Sequence, residues 1–251
     1  MENEHLLDGG NASGSVYRVG STVRKPWTDA TPAVFDFMHA LREAGVDVPA
    51  PLGRDTHGRQ VTEFIPGHLA IDSAPLSLQE LGRVGVMVRQ IHDASQAYTP
   101  DSGAVWETAI LAPGDELICH NDLAPWNLIV GARWAFIDWD AAAPSTRLWD
   151  LAYAAQAFTL SNPGEPPQTA ARKLSSFVDG YRAEGDLRAK LPAAMHRRTS
   201  AMYGLLKDSH EAGVEPWSTM FVEGHGDHWR TAAEYVKRHE ETWSRALLHR
   251  D

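Results

Sequence analysis

The stretch HNDLAPWNLIVGARWAFIDWD, residues 120–140, decides the fold because it places polar side chains at both ends of a short apolar hairpin. Its apolar segments, 128–130 and 134–137, flank the turn Gly-Ala-Arg at 131–133. Facing residues of an antiparallel pair have a constant index sum, which is about 264 for a turn centred near residue 132. Asn127 and Asp138 are therefore predicted to face each other to within one residue.

The pair at the hairpin ends has the chemistry of a magnesium site. Side chains on facing strands stand about 5 Å apart, so both can reach one ion. The amide oxygen of Asn127 and the carboxylate of Asp138 are hard oxygen ligands, which suit Mg²⁺ with water and phosphate completing its shell. Zinc would require His or Cys, and the hairpin ends carry neither. A cation would also relieve the repulsion between gathered carboxylates.

Asp122 lies five residues before Asn127, in a loop that Pro125 keeps from being helical. A carboxylate there can accept a hydroxyl proton and orient the oxygen towards a phosphorus atom. The alternative makes Asp122 and Asp138 ordinary turn and cap residues, but a cap explains one acid rather than three metal-compatible groups at matched spacing. Three roles remain open for Asp140: it could support the ion ligands, contact the substrate or cap a helix.

Composition excludes several classes of protein. The 251 residues carry a net charge of −10, which argues against nucleic acid and anionic membranes as partners. That charge mildly favours a cationic substrate, although it can serve solubility alone. We find no apolar run near the ~18–20 residues that span a bilayer, and no basic start typical of a signal peptide. The single cysteine fits a reducing cytoplasm.

The order of predicted elements indicates two lobes. Short β-prone pieces come first, then a helix that Thr31 can cap and Gly45 can close, then a buried strand at 60–65. Pro66-Gly67 reads as a hinge. From about residue 77 the pattern is helical, with one apolar face formed by Leu78, Leu81, Val84, Val88 and Ile91. We expect a nucleotide-binding lobe at 1–66 and a catalytic, acceptor-binding lobe at 67–251.

The motif HxDxxxxN at 120–127, followed after the hairpin by IDW at 137–139, resembles the signature of aminoglycoside phosphotransferases and their choline-kinase-like relatives. The resemblance implies an α+β, bilobal, protein-kinase-like fold with a small β-rich N-lobe and a larger helical C-lobe. It implies that Asp122 is the catalytic base or hydroxyl-orienting acid. It also implies that Asn127 and Asp138 hold Mg²⁺ on the phosphates of ATP or GTP.

The same resemblance assigns the nucleotide contacts. Lys25 would contact the α- and β-phosphates, with a solvated surface lysine as the alternative. Its partner acid on the first helix would be Asp36, although Phe35 and Phe37 flank it. The loop GGNASG, residues 9–14, could lie over the phosphates or form an ordinary hairpin turn. The carbonyl of Glu63 and the amide of Ile65 would hydrogen-bond the adenine edge.

Two other residues of the motif region are assigned to support. By the resemblance, His120 braces the catalytic loop and Asp150 supports it from below. The acceptor would lie between this loop and the C-terminal helices, where acids could pair with substrate ammonium groups; these acids are Asp208, Glu211, Glu215 and Glu223.

Three functions remain compatible with the sequence. The first is a Mg²⁺-dependent kinase of a small hydroxyl compound, with a cationic, aminoglycoside-like antibiotic as one candidate. The second is a metal-dependent phosphohydrolase that uses the same acids. The third is a non-catalytic nucleotide-binding or immunity-type protein with a kinase shape. The sequence leaves the oligomeric state open.

Overall fold

The computed structural model describes residues 4–7 and 15–248. The Gly-rich loop at 9–14, for which the sequence left open a phosphate cover or an ordinary hairpin turn, lies outside these residues. The described part combines antiparallel sheets with α-helices, which confirms the mixed α+β prediction.

The N-terminal part is a five-stranded antiparallel sheet with one helix. Strand order across the sheet is β1-β2-β3-β5-β4. Its elements are β1 (Glu4–Leu6), β2 (Tyr17–Val19), β3 (Thr22–Lys25), α1 (Thr31–Glu43), β4 (Pro51–Arg54) and β5 (Gln60–Glu63).

Helix α1 begins and ends close to the predicted residues. Pro32 lies in its first turn, where a missing N–H costs nothing. Thr31 does not cap the helix as predicted, because it is already the first helical residue, and its hydroxyl accepts the Thr28 N–H at 2.9 Å. Gly45 follows the helix with φ +85°, the left-handed conformation that glycine adopts most easily. The cap prediction was therefore wrong by one position.

The C-terminal part is mainly helical, and the hairpin is embedded in it. Two small sheets lie in this part: in the first, β8 pairs with both β6 and β9, and in the second, β7 pairs with β10. The elements are β6 (His68–Leu69), α2 (Leu78–Ser95), β7 (Leu117–Cys119), β8 (Leu128–Val130), β9 (Ala135–Phe136), β10 (Ala143–Ser145), α3 (Arg147–Thr159), α4 (Pro167–Tyr181), α5 (Gly185–Ala212), α6 (Trp217–Met220), α7 (Gly226–Arg238) and α8 (Glu240–Leu248).

Helix α2 packs against α4 at unusually short range. A methyl group added at Gly85 would lie 2.0 Å from the Phe177 carbonyl oxygen, and one at Gly180 would lie 2.0 Å from the Gly82 oxygen. The two backbones therefore touch without an intervening side chain. Gly85 completes the buried face of α2, whereas Leu78, which the apolar pattern included in that face, is 47% exposed.

The β8–β9 hairpin has the predicted register. Leu128 pairs with Phe136 and Ile129 with Ala135, so the chain positions of each pair sum to the predicted value. The chain after β5 crosses this hairpin closely, because a Cβ at Gly67 would lie 2.7 Å from the Val130 oxygen. The place of the lobe boundary, at residue 66, stays a prediction.

One hydrophobic core joins the two parts. It includes Phe37 from α1, Val88 from α2, Phe136 from the hairpin and Phe177 from α4. Within residues 4–7 and 15–248, no helix is both long and apolar enough to span a bilayer.

Candidate active site

Asp138, which follows the second strand of the hairpin, has a strained backbone conformation. Its φ of 60° and ψ of 67° are left-handed, which is uncommon for a residue with a Cβ. The next residue, Trp139, fixes this bend because its indole N–H donates to the Phe136 oxygen at 3.0 Å and its ring packs on His120 at 4.5 Å between centroids. Such strain persists where surrounding structure enforces it, and it is concentrated at functional sites.

Asn127, which precedes the first strand of the hairpin, is oriented by Asp122. Its Nδ2 donates to the Asp122 Oδ2 at 2.8 Å and to the Asp122 carbonyl oxygen at 3.0 Å. Since both amide hydrogens point to Asp122, the Oδ1 oxygen faces away from that carboxylate. An amide oxygen presented in this way suits a divalent cation. The donor set therefore fits the predicted metal.

Tyr153 holds the second oxygen of Asp122. Its hydroxyl, on α3, donates to the Asp122 Oδ1 at 2.8 Å. Burial raises the pKa of the Asp122 carboxyl above its usual value, and nearby His120 and the Tyr153 hydrogen bond offset only part of this rise. Sequence analysis missed Tyr153. Its position three residues after Asp150 on one helix was the available signal.

A buried guanidinium lies beneath this pair. Arg198, on α5, is 5% exposed, stacks on the Tyr153 ring at 4.2 Å and donates to the Asn121 carbonyl oxygen at 3.2 Å. Burial lowers the pKa of Arg198 against the opposing influence of Tyr153 and Asp122. Its cationic face thus stabilises the phenol ring that orients Asp122.

The loop at 120–127 is anchored by Asp150, the residue that the resemblance assigned to its support. Its carboxylate accepts the Asn121 backbone N–H at 2.9 Å and lies 2.9 Å from the His92 Nε2. His92 in turn contacts the Tyr181 hydroxyl at 2.9 Å. His120 braces the loop against the hairpin, with its Nε2 3.1 Å from the Ile137 carbonyl oxygen. These contacts hold in place the loop that carries Asp122.

Lys25 approaches the site from strand β3. Its ammonium lies 2.5 Å from the Asp138 Oδ1 and 2.7 Å from the Asp140 Oδ2, and the residue is 7% exposed. It is therefore not a solvated surface lysine. Burial opposes a charged lysine, but the two carboxylates prevail and raise its pKa. Burial likewise opposes a charged Asp138, but Lys25 prevails and lowers that pKa. The two acids already hold a cationic group between them.

The predicted hinge residues have different environments. The Glu63 carboxylate accepts the Ala50 N–H at 3.0 Å and pairs with Arg133 of the hairpin turn at 2.5 Å. Arg133 also pairs with Asp47 at 2.6 Å, so it ties both β5 and the segment between α1 and β4 to the turn of the hairpin. Ile65 is buried against the hairpin. Adenine contact by the Glu63 carbonyl and the Ile65 amide stays a prediction.

An aromatic cluster lies beside Asp122, with Tyr153 and Trp229 buried and Trp126 half-buried. Tyr153 stacks on Trp229 at 6.0 Å, and Trp126 lies 6.4 Å from each of them between ring centroids. Partly exposed apolar side chains surround this trio; they are Ile110, Tyr203, Leu205, Trp217, Met220 and Phe221. We call these residues, with the trio, the aromatic wall.

The acids predicted to bind a cationic acceptor are all exposed. Glu211 pairs with Lys207 at 3.3 Å, and the Glu215 carboxylate accepts the Thr219 N–H at 3.1 Å. Asp208 lines a shallow cavity of about 510 Å³ together with Ile110 and Leu205 of the aromatic wall. Asp208 is thus an acid in a cavity that adjoins the wall.

Comparison with known proteins shows which proteins this chain is similar to. Residues 103–188 match the model of the phosphotransferase enzyme family, known as APH. The trifolitoxin immunity protein of Rhizobium leguminosarum bv. trifolii is 27% identical over 267 residues, an alignment that covers 98% of this chain and all of the relative.

Solved structures of small-molecule kinases share the fold. The amicoumacin kinase hAmiN, in complex with AMP-PNP, Ca²⁺ and Ami, aligns with a TM-score of 0.67 at 17% identity over 95% of this chain and 88% of that one. A microcompartment-associated aminopropanol kinase aligns with a TM-score of 0.67 at 15% identity, over 97% and 94% of the two chains. The spectinomycin phosphotransferase APH(9)-Ia, in complex with ADP and spectinomycin, gives 0.62 at 13% identity, over 95% and 93%.

These similarities confirm the resemblance on which the sequence analysis relied. The fold is the kinase-like fold of aminoglycoside phosphotransferases and choline-kinase-like enzymes. Among the residues that the sequence singled out, Asn127 contacts Asp122 and Lys25 contacts Asp138.

Proposed function

We propose that this chain, which has the fold of the aminoglycoside phosphotransferases, moves the γ-phosphate of ATP or GTP to a hydroxyl of a small molecule. The observation that carries the proposal is a pair of contacts at the residues flanking the hairpin strands: Asn127 with Asp122, and Lys25 with Asp138. Phosphoryl transfer requires mainly positioning and charge neutralisation, and these four side chains provide both.

Each residue has a distinct part in the proposed reaction. Asn127, through Oδ1, and Asp138 would hold Mg²⁺, which when bound neutralises charge on the phosphates. Asp122 accepts a hydrogen bond from the acceptor hydroxyl and takes its proton. Although Asn127 and Tyr153 each occupy one of its oxygens, a carboxylate has about four lone-pair positions, so capacity for the hydroxyl remains.

The acceptor is proposed to be a toxic small molecule with an apolar or aromatic face. The aromatic wall lies beside Asp122, because Tyr153 is part of the wall and its hydroxyl donates a hydrogen bond to Asp122. Two structural neighbours are kinases or phosphotransferases named for amicoumacin and spectinomycin, and the full-length relative is named for immunity to trifolitoxin. A role in resistance or immunity accounts for all three names.

The direct test is nucleotide consumption against a panel of hydroxyl-bearing antibiotics and amino alcohols, with ATP and GTP in parallel. An active acceptor should give ADP or GDP and a phosphorylated product by mass spectrometry. Asp122→Asn is the inactive comparison, and Asp186→Asn, which removes an exposed carboxylate from α5, is the matched control. Release of phosphate from nucleotide without any acceptor would instead favour a phosphohydrolase.

A second candidate function is immunity by binding alone, which the name of the relative also favours. The two candidates separate in a sensitive bacterial strain that expresses the wild type or Asp122→Asn at equal level. Catalytic immunity is lost with the carboxylate. Protection by Asp122→Asn equal to that by the wild type would support binding without phosphorylation.

A further inference from the structure

Helix α1 presents no carboxylate to the interior. Its two acids, Asp36 and Glu43, are both exposed. Its buried face is apolar, with Phe37 and Leu41 at its centre. The helix acid expected to pair with Lys25 is therefore absent from this helix, and Asp36 does not fill that role.

Lys25 nevertheless requires a permanent partner. Its ammonium is buried, and an isolated buried charge costs several kcal/mol. Of its two carboxylate partners, Asp138 is the one at the hairpin end, where the proposed function requires it for a divalent cation. Once Asp138 turns to such a cation, only Asp140 stays beside Lys25 among the acids that the described residues place there.

Asp140 is itself held in place by a polar neighbour. Its Oδ2 accepts from Lys25 at 2.7 Å, while its Oδ1 accepts from the Gln60 Nε2 at 3.2 Å. Gln60 is the residue directly opposite Lys25 in the β3–β5 pairing, and it also donates to the Pro26 carbonyl oxygen at 3.0 Å. The carboxylate thus bridges two adjacent strands and fixes the lysine from the side of the hairpin.

We propose that Asp140 is the positioning residue of Lys25 and replaces the missing helix carboxylate. The lysine of this chain is oriented by the segment that follows the metal-binding aspartate rather than by α1. The proposal rests on the proposed function, since it concerns the same nucleotide site. It explains how the site can be competent for nucleotide although α1 lacks the acid.

The test is a double-mutant cycle on ADP affinity, measured by calorimetry with saturating Mg²⁺. Asp140→Asn should weaken ADP binding about tenfold, the loss expected for one hydrogen bond to a charged group. In a Lys25→Met background the same substitution should change the affinity by less than about twofold, because the lysine through which Asp140 acts is gone. Asp36→Asn is the matched control and should bind ADP as the wild type does.

A second substitution keeps the test decisive if Asp140→Asn folds poorly, which a thermal unfolding curve will show. Gln60→Met removes the donor to the Asp140 Oδ1 and keeps side-chain length. It should weaken ADP binding about two- to threefold, and this loss should also vanish in the Lys25→Met background.

Three results would overturn the proposal. One is wild-type affinity in Asp140→Asn. Another is an equal loss with and without Lys25, which would place Asp140 on the cation instead. The third is a loss in Asp36→Asn that matches the loss in Asp140→Asn. Failure of the wild type to bind any nucleotide would overturn the proposed function as well. If the wild type binds ADP and Asp140→Asn binds it equally well, only the role of Asp140 is removed.

Discussion

The two sides of the site are built differently. On the base side, Asp122 is held by neutral donors: Asn127, five residues away, and Tyr153, 31 residues away. On the phosphate side, Asp138 and Asp140 are held by the ammonium of Lys25, which is 113 and 115 residues away. The first side has neutral partners 5 and 31 residues away, whereas the second is ionic and joins segments more than 100 residues apart.

The difference appears in the pKa values. Burial raises the pKa of Asp122, which makes it a better proton acceptor. Burial also acts on Asp138, but the Lys25 charge overcomes it and lowers that pKa, which keeps the carboxylate ionised for a cation. The same residue type thus receives two functions from two environments. Substitutions on each side should separate these functions.

The largest effect is expected on the base side. Asp122→Asn should lower kcat by about 10²- to 10⁴-fold, the range typical of a lost general base, while Mg-nucleotide affinity changes little. Steady-state kinetics on an identified acceptor, together with calorimetry, measure both quantities. Wild-type turnover in this variant would remove the assigned role of Asp122.

The next effect concerns the phosphate side. Asp138→Asn should weaken Mg-nucleotide binding by at least ~10-fold, as loss of support at metal sites does, because an amide is a poorer ligand than a carboxylate. Nucleotide binding without Mg²⁺ should be far less affected, since Lys25 keeps Asp140. Calorimetry with and without Mg²⁺ gives the comparison. A loss of the same size in both conditions would contradict metal binding by Asp138.

A smaller effect tests the neutral partner of the base. Tyr153→Phe removes a hydrogen bond that lowers the pKa of Asp122, so this pKa should rise further. The reaction requires the carboxylate form, and the acid limb of the pH–rate profile should therefore move to higher pH. The rate on the plateau should fall modestly. An acid limb at the wild-type position would show that Tyr153 does not act through Asp122.

The smallest effect concerns the link between the two sides. Arg133→Met breaks two ion pairs at the hairpin turn. One joins the turn to Glu63 on β5, and the other joins it to Asp47, which lies between α1 and β4. Partly exposed ion pairs contribute up to ~1 kcal/mol, so KM for nucleotide should rise at most about fivefold with kcat unchanged. A large fall in kcat would mean that the hinge contact also positions Asp122.

The local sequence pattern predicted the hairpin that carries part of the site. It predicted few of the contacts between residues far apart in the chain. The alternation of apolar residues between Asn127 and Asp138 gave the hairpin register, because pairing across a short turn follows from spacing. The place of Lys25 followed from the family resemblance, but its pairing with Asp140 depends on how β3 meets the hairpin. No periodicity encodes such a contact.

Tyr153 and Gly85 were missed for a related reason. Helix α3 is buried on nearly all sides, so its pattern does not show that the Tyr153 hydroxyl reaches Asp122. The apolar face predicted for α2 included Leu78, which is exposed, and omitted Gly85, which is buried. Hydrophobicity alone cannot indicate that a neighbouring backbone occupies the space of a side chain.

The contact between Gly85 and Gly180 restricts how this protein can vary. Where two helices touch through their main chains, there is no layer of side chains that could be rearranged to accommodate a larger residue. Selection of a randomised library for any retained activity should therefore leave these two positions invariant, although neither belongs to the catalytic groups. Acceptance of new acceptors would then have to arise in the peripheral loop and the short helices that carry the outer aromatic residues.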